Sequence, residues 1–496
     1  MKILMITSEA FPFVKTGGLA DAVSALAIAL HKCGHDVRIV LPRYYTIRRD
    51  SLELLNAPLK INIGNKVYST SIYKTTMPGT TNRTDKIGLP VYFIDYEPAF
   101  GRDGVYGSKT ESDFRDNPFR FSILCNGVFE LCKKINWYPD IMHAHDWASA
   151  LVPVLLKFYK RKEQFSQVSS VLTIHNLGYQ GVYSKENYPI TGMKWTEFYK
   201  AGFEDWDNIN FLKAGLVSAD VLTTVSPTYA QEIQTAAYGF RMDPIIRNRK
   251  SDVYGILNGV NIDVWNPMND NKITANYSVK TMDKKAENKA ELQKRMGLKI
   301  DSTIPVVGII TRLTDQKGVS ELFGPTYGCV YNMCVDFKMQ FIVLGSGEKW
   351  CEDELRNLNS KLPNMGVYIG YDDELSHLIE AGSDFYLMPS KYEPCGLNQM
   401  YSLMYGTLPI VRRTGGLADT VEQYNEKTGE GTGFMLNDLT PRSIYDTVGW
   451  AMYAWYNKPE HIKKMKIAGM KKNFSWEMSA KKYEDVYKIA QNKVKE

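Results

Sequence analysis

The amino-terminal stretch MKILMITSEAFPFVKTGGLADAVSALAIALHKCGHDVRIVLP, residues 1–42, contains the architecture in miniature. MKILMITSE has no polar alternation, the pattern of a strand buried on both faces of a parallel sheet. AFPFVKTGG supplies a loop, and LADAVSALAIALHKCG carries apolar side chains at helical spacing up to Gly34, a fitting carboxyl-terminal glycine. DVRIVLP then completes a βαβ unit.

Working outward, DIMHAHD, SVLTIHN and DVLTTVSP read as further strands, with WASALVPVLLKFYK and PTYAQEI as helices behind two of them. The second half repeats the grammar in IPVVGIITRL, QFIVLGSG, MGVYIGY, DFYLMPS and TLPIVRR. The fold class is α/β, two Rossmann-like doubly wound domains, and 496 residues are too many for one core. The expected division is residues 1–253, residues 254–475, and a long polar-faced helix at 476–496 that crosses back to the first domain. The hinge falls near SDVYGILNGVNIDVW.

Bulk properties narrow the function classes. An apolar fraction of 44% with 23% charged residues describes a chain that folds by burial. A net charge of +5 is weak for this length, and basic residues alternate with acidic ones over most of the chain, so nucleic acid is not an expected partner. Apolar runs fall short of the roughly 18 residues a span requires, and ILMI is too short for a secretory core. No membrane is expected and a cytoplasmic address follows, or the plastid stroma only if a transit peptide has been removed. The seven cysteines are scattered without CxxC or zinc spacing, which argues against a disulfide framework.

The chain spells KTGGLAD at 15–21 and RTGGLAD at 413–419. In doubly wound sheets, ligands bind at the carboxyl ends of strands, where glycine lets backbone approach phosphate and a helix amino terminus supplies N–H groups. One glycine-rich turn per domain, presented to a shared cleft, explains the duplication; a good turn before an amphipathic helix is the plainer alternative for either copy. Lys15, beside Gly17 and Gly18, is placed to hold a phosphate, and Asp21 to accept hydrogen bonds from sugar hydroxyls or to serve as a helix-dipole partner. In TRLTDQKG, Arg312 ends a strand and Lys317 follows five residues later, a pair suited to a diphosphate. PSKYEPCGLNQ places Glu393, Cys395, Gly396 and Leu397 between a strand and a helix, where a carboxylate and backbone donors suit a sugar nucleotide. Cys395 reads as structural rather than catalytic.

Other constellations are weaker. His143 and His145 lie two apart on one strand, yet no third ligand has metal spacing. DWD at 205–207 is a poor Mg²⁺ site because it lies in a polar loop. GSGEKW at 345–350 has Trp350 where a dinucleotide fingerprint needs glycine, and no Walker A sequence is present. Neither hydride transfer nor a P-loop is supported.

SEAFPFVKTGGLADAV, HAHDW, TIHNLGYQG, NFLKAGL, TTVSPTYAQEI, GILNGVNIDVWNP, TRLTDQKG and PSKYEPCGLNQMYSLMYGTLPIVRRTGGLADTV together resemble the bacterial glycogen synthase and plant starch synthase family nearly end to end. The resemblance implies the GT-B architecture, two Rossmann-like domains facing a central cleft. It implies transfer of glucose from ADP-glucose to the nonreducing 4-hydroxyl of an α-1,4-glucan, glycogen or starch, with retention and with no metal cofactor. By the same resemblance Lys15, Gly17, Gly18, Asp21, Asp146 and Asn258 line the donor pocket, and His175 steadies the reacting sugar through its ring or its carbonyl. Arg312 and Lys317 hold the diphosphate, and Glu393, Cys395, Gly396 and Leu397 surround the glucose. Lys391 and Tyr392 replace the usual Arg and Phe, and Met404 stands where Arg is common. VSELFGPTYGCVYNMCVDFKM is less regularly amphipathic than the family's helix at that place. A sucrose-type synthase or phosphorylase on the same architecture, and a non-catalytic glucan-binding homologue, are the competing readings.

Overall fold

The computed structural model describes residues 1–81 and 88–495; Glu496, the last residue of the expected terminal helix, lies outside the described residues. The chain divides into two compact units, Met1–Gly259 with Trp476–Glu496, and Val260–Ser475.

Unit 1 is built on seven parallel strands: β1 (Lys2–Ile6), β2 (Asp36–Pro42), β3 (Pro90–Asp95), β4 (Ile141–His145), β5 (Ser169–Ile174), β6 (Val221–Thr224) and β7 (Val253–Gly255). They lie in the order β7-β6-β5-β4-β1-β2-β3, extended past β3 by antiparallel strands at Lys66–Thr76 and Glu53–Leu54. Ile3, Leu4, Met5 and Ile6 of β1 are all buried, as an unalternating apolar run in a central parallel strand requires. Helix α1 (Gly18–Lys32) buries Leu19, Val23, Leu26 and Leu30, one face at three- and four-residue spacing. It stops where Gly34 turns left-handed at φ +89° and the His35 N–H reaches back to the Leu30 carbonyl at 3.2 Å. Because β7 pairs in parallel with β6, the chain stays with unit 1 as far as Gly259.

The helix Trp476–Lys495 belongs to this unit and packs on α1 and β5. Its buried residues Trp476, Ala480, Tyr483, Tyr487 and Ala490 recur every three to four positions, and Glu484 meets His35 at 2.8 Å.

Unit 2 has six parallel strands: β8 (Val306–Leu313), β9 (Gln340–Gly347), β10 (Met365–Ile369), β11 (Phe385–Met388), β12 (Leu408–Arg412) and β13 (Phe434–Leu436), in the order β10-β9-β8-β11-β12-β13. The irregular segment after Lys317 resolves into two short helices, Val319–Phe323 and Val330–Asp336, which explains its broken periodicity.

Both sheets reverse strand order beside their first strand, between β1 and β4 in unit 1 and between β8 and β11 in unit 2. At such a reversal the two following connections leave on opposite faces, which opens a crevice outside the carboxyl ends. The fold therefore singles out Thr7–Gly18 with His145–Asp146 in one unit, and Arg312–Lys317 with Pro389–Gly396 in the other.

Candidate active site

In unit 2 the turn after β8 is a single 3₁₀ turn, Asp315–Lys317, closed by Gly318 at φ +74°. A Cβ at Gly318 would come within 2.4 Å of the Pro389 carbonyl oxygen, so only glycine lets this loop approach the one after β11. The approach brings Lys317 Nζ to Glu393 Oε2 at 2.5 Å, and Ser390 Oγ donates to the same oxygen at 2.9 Å. Glu393 is buried, so its charge is held by these two partners. Arg312 is exposed, and its side chain has no hydrogen-bond or ion-pair partner among the described residues. A cavity of about 180 Å³ opens here, lined by Arg312, Lys317, Met388, Ser390 and Asn398 among others. Asn398 Nδ2 donates to the Tyr386 hydroxyl at 2.7 Å, and that hydroxyl donates to the Ile310 carbonyl at 2.8 Å, fixing the cavity wall. The result is a basic hollow with one buried carboxylate.

The second TGG copy lies behind this hollow. Gly416 N–H donates to the Glu393 carbonyl at 3.1 Å. Added Cβ atoms at Gly415 and Gly416 would fall 1.9 Å from Glu393 O and 2.0 Å from Cys395 O. These glycines therefore buttress the Glu393–Cys395 turn. Cys395 is buried in it, Gly396 continues it at φ +72°, and Leu397 caps the helix Asn398–Met404.

The first copy is open where the second is closed: nothing lies within 4 Å of a Cβ placed on Gly17 or Gly18. The Thr16 and Gly17 donors, however, are already engaged. Glu9, buried just past β1, accepts from Thr16 N–H, from Thr16 Oγ1 at 2.7 Å, from Gly17 N–H at 3.3 Å and from the Tyr106 hydroxyl at 2.8 Å. Lys15 and Asp21, given to phosphate and sugar on the sequence, pair with each other at 2.8 Å and are both partly exposed. Glu9 and Tyr106 are thus members of this site that motif reading missed; Glu9 lies inside the quoted stretch but carries no spacing signal of its own.

Asp146 follows β4 in a left-handed conformation, φ +55°, uncommon for a non-glycine residue. Its carboxylate accepts the His175 N–H at 2.7 Å and the Asn176 N–H at 3.4 Å, tying the ends of β4 and β5 together. Burial pushes its carboxyl up to about 7 against those two donors. His145 and His143 present their rings on one side of β4, centroids 4.1 Å apart. Three of their four nitrogens meet neighbours: His143 contacts the Tyr487 hydroxyl at 2.8 Å and Thr173 Oγ1 at 2.6 Å, and His145 Nδ1 contacts His175 Nε2 at 3.1 Å. Burial pushes His143 and His175 down to about 3, so both are neutral at physiological pH. Asn258 is buried three residues past the end of the edge strand β7. Asp205 is tied to Asn210 and Arg241, and Asp207 to Lys185, so the DWD carboxylates serve a hairpin turn. Among the described residues no group of three or more His, Cys, Asp or Glu side chains is arranged to hold a metal ion, and no helix is long and apolar enough to cross a membrane.

Two family models match the chain: the starch synthase catalytic domain over residues 2–248 and the glycosyl transferases group 1 over residues 291–468. A glycogen synthase of Treponema denticola is 59% identical over 487 residues, covering 98% of each chain. The chain belongs to the glycogen synthase family. It is accordingly a glycosyltransferase, and the catalytic domain of starch synthase IV from Arabidopsis thaliana, solved with ADP and acarbose, matches at TM-score 0.88 and 31% identity over 99% of both chains. The sucrose-phosphate synthase of Thermosynechococcus elongatus matches at TM-score 0.57 and 16% identity over 98% of both chains, which places the glycogen synthase family on a fold shared with other GT-B enzymes.

Proposed function

We propose that the enzyme transfers glucose from ADP-glucose to the nonreducing 4-hydroxyl of an α-1,4-glucan with retention of configuration and without a resident metal. The observation that carries this reading is the basic hollow at the strand-order reversal of unit 2, where Arg312, unpartnered among the described residues, and Lys317 line one cavity and Lys317 is paired with buried Glu393.

A departing nucleoside diphosphate gains negative charge at the transition state. Arg312, free of partners among the described residues, meets that charge without first breaking a contact to them, which is electrostatic preorganisation. Lys317 shares its ammonium between Glu393 and phosphate, so donor binding leaves the carboxylate acceptor capacity for glucose hydroxyls. Lys15 and Asp21 are read as a second cation and carboxylate for the donor, with Gly17 and Gly18 keeping the approach to them open.

Retention is assigned to same-face substitution, with the leaving diphosphate taking the proton of the incoming hydroxyl. Binding and charge stabilisation then do most of the work. His175, neutral and held at its backbone by Asp146, offers dipoles rather than charge to the developing sugar cation. The names of the two close relatives support glucan as acceptor, and the ADP bound to the Arabidopsis enzyme supports the adenine nucleotide. Initial rates with ADP-glucose and UDP-glucose on a glycogen primer test the proposal: ADP-glucose should be preferred, and equal rates or a UDP-glucose preference would overturn the donor assignment.

A further inference from the structure

In the row His143, His145 and half-buried His175, one fully buried polar atom is left unsatisfied. His145 Nδ1 meets His175 Nε2 at 3.1 Å, while His145 Nε2 is buried with no hydrogen-bond partner. Two neutral imidazoles in contact share a single proton between facing nitrogens, so two arrangements exist. If His175 donates, His145 must carry its own proton on Nε2, an orphaned buried N–H. If His145 donates from Nδ1, its Nε2 is a bare lone pair. Orphaned buried donors are rarer and costlier than under-used acceptors. The second arrangement is therefore favoured, and it leaves His175 protonated on Nδ1, a nitrogen with no partner among the described residues.

We propose that His145 is the positioning residue of His175, fixing it as the neutral Nδ1–H tautomer with that N–H as its one free donor toward bound sugar. The row is braced along its length. Tyr487 of the carboxyl-terminal helix and Thr173 of β5 hold the two nitrogens of His143, whose ring lies against His145. The backbone of His145 is pinned from both sides by Ser149 Oγ, which receives its N–H at 2.6 Å and donates to its carbonyl at 2.8 Å. Asp146 then fixes the backbone of His175 as His145 fixes its ring. The titratable groups around the pair are His143 and Asp146 from the β4 segment, with Tyr483 and Tyr487 of the helix packed against His143. Glu9 acts on Asp146 from beyond β1. Burial holds all three histidines below their ordinary range, with repulsion from neighbouring rings adding to it for His143 and His145, so none gains a proton that would scramble the arrangement near neutrality.

The catalytic consequence rests on the proposed glucosyl transfer; the tautomer does not, and the experiment separates them. In full-length protein labelled with ¹⁵N-histidine, the His175 signal, assigned by its loss in His175→Asn, should show a protonated Nδ1 and a bare Nε2, unchanged from pH 8 to pH 5. A protonated Nε2, or titration near the ordinary histidine value, would overturn the assignment. In kinetics with ADP-glucose and glycogen, His145→Leu should lower kcat by about 10- to 100-fold with little change in donor KM, since misorienting a group near the reacting centre costs on that order. His145→Asn, whose amide nitrogen overlies Nδ1, should restore most of it. A His145→Leu enzyme with wild-type kcat, or a folded His145→Asn enzyme as slow as His145→Leu, would refute the positioning role. A wild type inert toward ADP-glucose would refute the transfer reading while the tautomer measurement still stands or falls alone.

Discussion

Replacing Gly416 with alanine tests the buttress beneath Glu393. The new Cβ would fall 2.0 Å from the Cys395 carbonyl oxygen and 2.6 Å from Cys395 Cα, against ordinary contact beginning near 3.4 Å. The obstructing atoms are backbone, so no rotamer change relieves the overlap. A separation of about 1.4 Å must be made up by moving either the 414–416 turn or the 393–395 turn, and the hydrogen bond from Gly416 N–H to the Glu393 carbonyl opposes both. Displacements near 1 Å at a reacting centre cost about 100-fold in rate, and overpacking a buried site costs about 1–3 kcal/mol. Gly416→Ala should therefore lower kcat about 100-fold, raise the donor KM, and reduce Tm. Gly17→Ala is the matched control: nothing lies within 4 Å of its Cβ and its φ of −157° is open to any residue, so Tm should not move. Steady-state kinetics with ADP-glucose and glycogen, beside thermal unfolding of both variants, decide the matter. Wild-type kcat and Tm in Gly416→Ala, or equal destabilisation by Gly17→Ala, would refute the division of labour between the two glycine turns.

Arg312→Ala should leave Tm unchanged, because the side chain is exposed and partnerless among the described residues, yet lower kcat by about 10²- to 10³-fold; an active variant would remove it from the diphosphate site. Glu9→Ala strips the acceptor from Thr16, Gly17 and Tyr106. Amide exchange over residues 14–18 should then accelerate and donor KM rise, whereas unchanged exchange would show that the turn holds itself. His143, depressed to about 3 when folded, takes up a proton near 6.5 only when unfolded. Its contribution to stability is intact above pH 6.5 and lost as pH falls, by about 1.4 kcal/mol per pH unit toward pH 3. Asp146, raised to about 7, opposes this between about pH 7 and 4, because there the folded state holds the extra proton. His143→Gln should flatten the acid side of the Tm–pH curve, and an unaltered slope would contradict the buried neutral assignment.

Much of the fold is legible in residues 1–42 and in the apolar runs of the second half, because parallel strands buried on both faces leave an unalternating signature. QFIVLGSG coincides with the strand Gln340–Gly347, and the pattern of α1 ends one turn before Gly34 as its capping chemistry requires. The antiparallel strand Lys66–Thr76 is hidden because Lys, Ser and Thr make up most of it and its order comes from pairing with β3 and with Leu59–Ile63. Strand order is likewise invisible along the chain, and it is what brings Arg312, Lys317 and Glu393 to one crevice. The two TGGLAD copies look equivalent in sequence. One faces open space and one faces the 393–395 backbone, a difference set by tertiary packing alone. Glu9 escapes motif reading for the same reason: its importance lies in four hydrogen bonds that arise only once the turn folds over it.

The most direct measurement is the fate of ¹³C-labelled glucose supplied as ADP-glucose with a short α-1,4-glucan primer, read by NMR of the products. The label should appear as a new α-linked residue on O4 of the nonreducing end, with ADP released in equal amount. Label recovered as a β-linkage, a free disaccharide or glucose 1-phosphate would contradict retaining glucan extension.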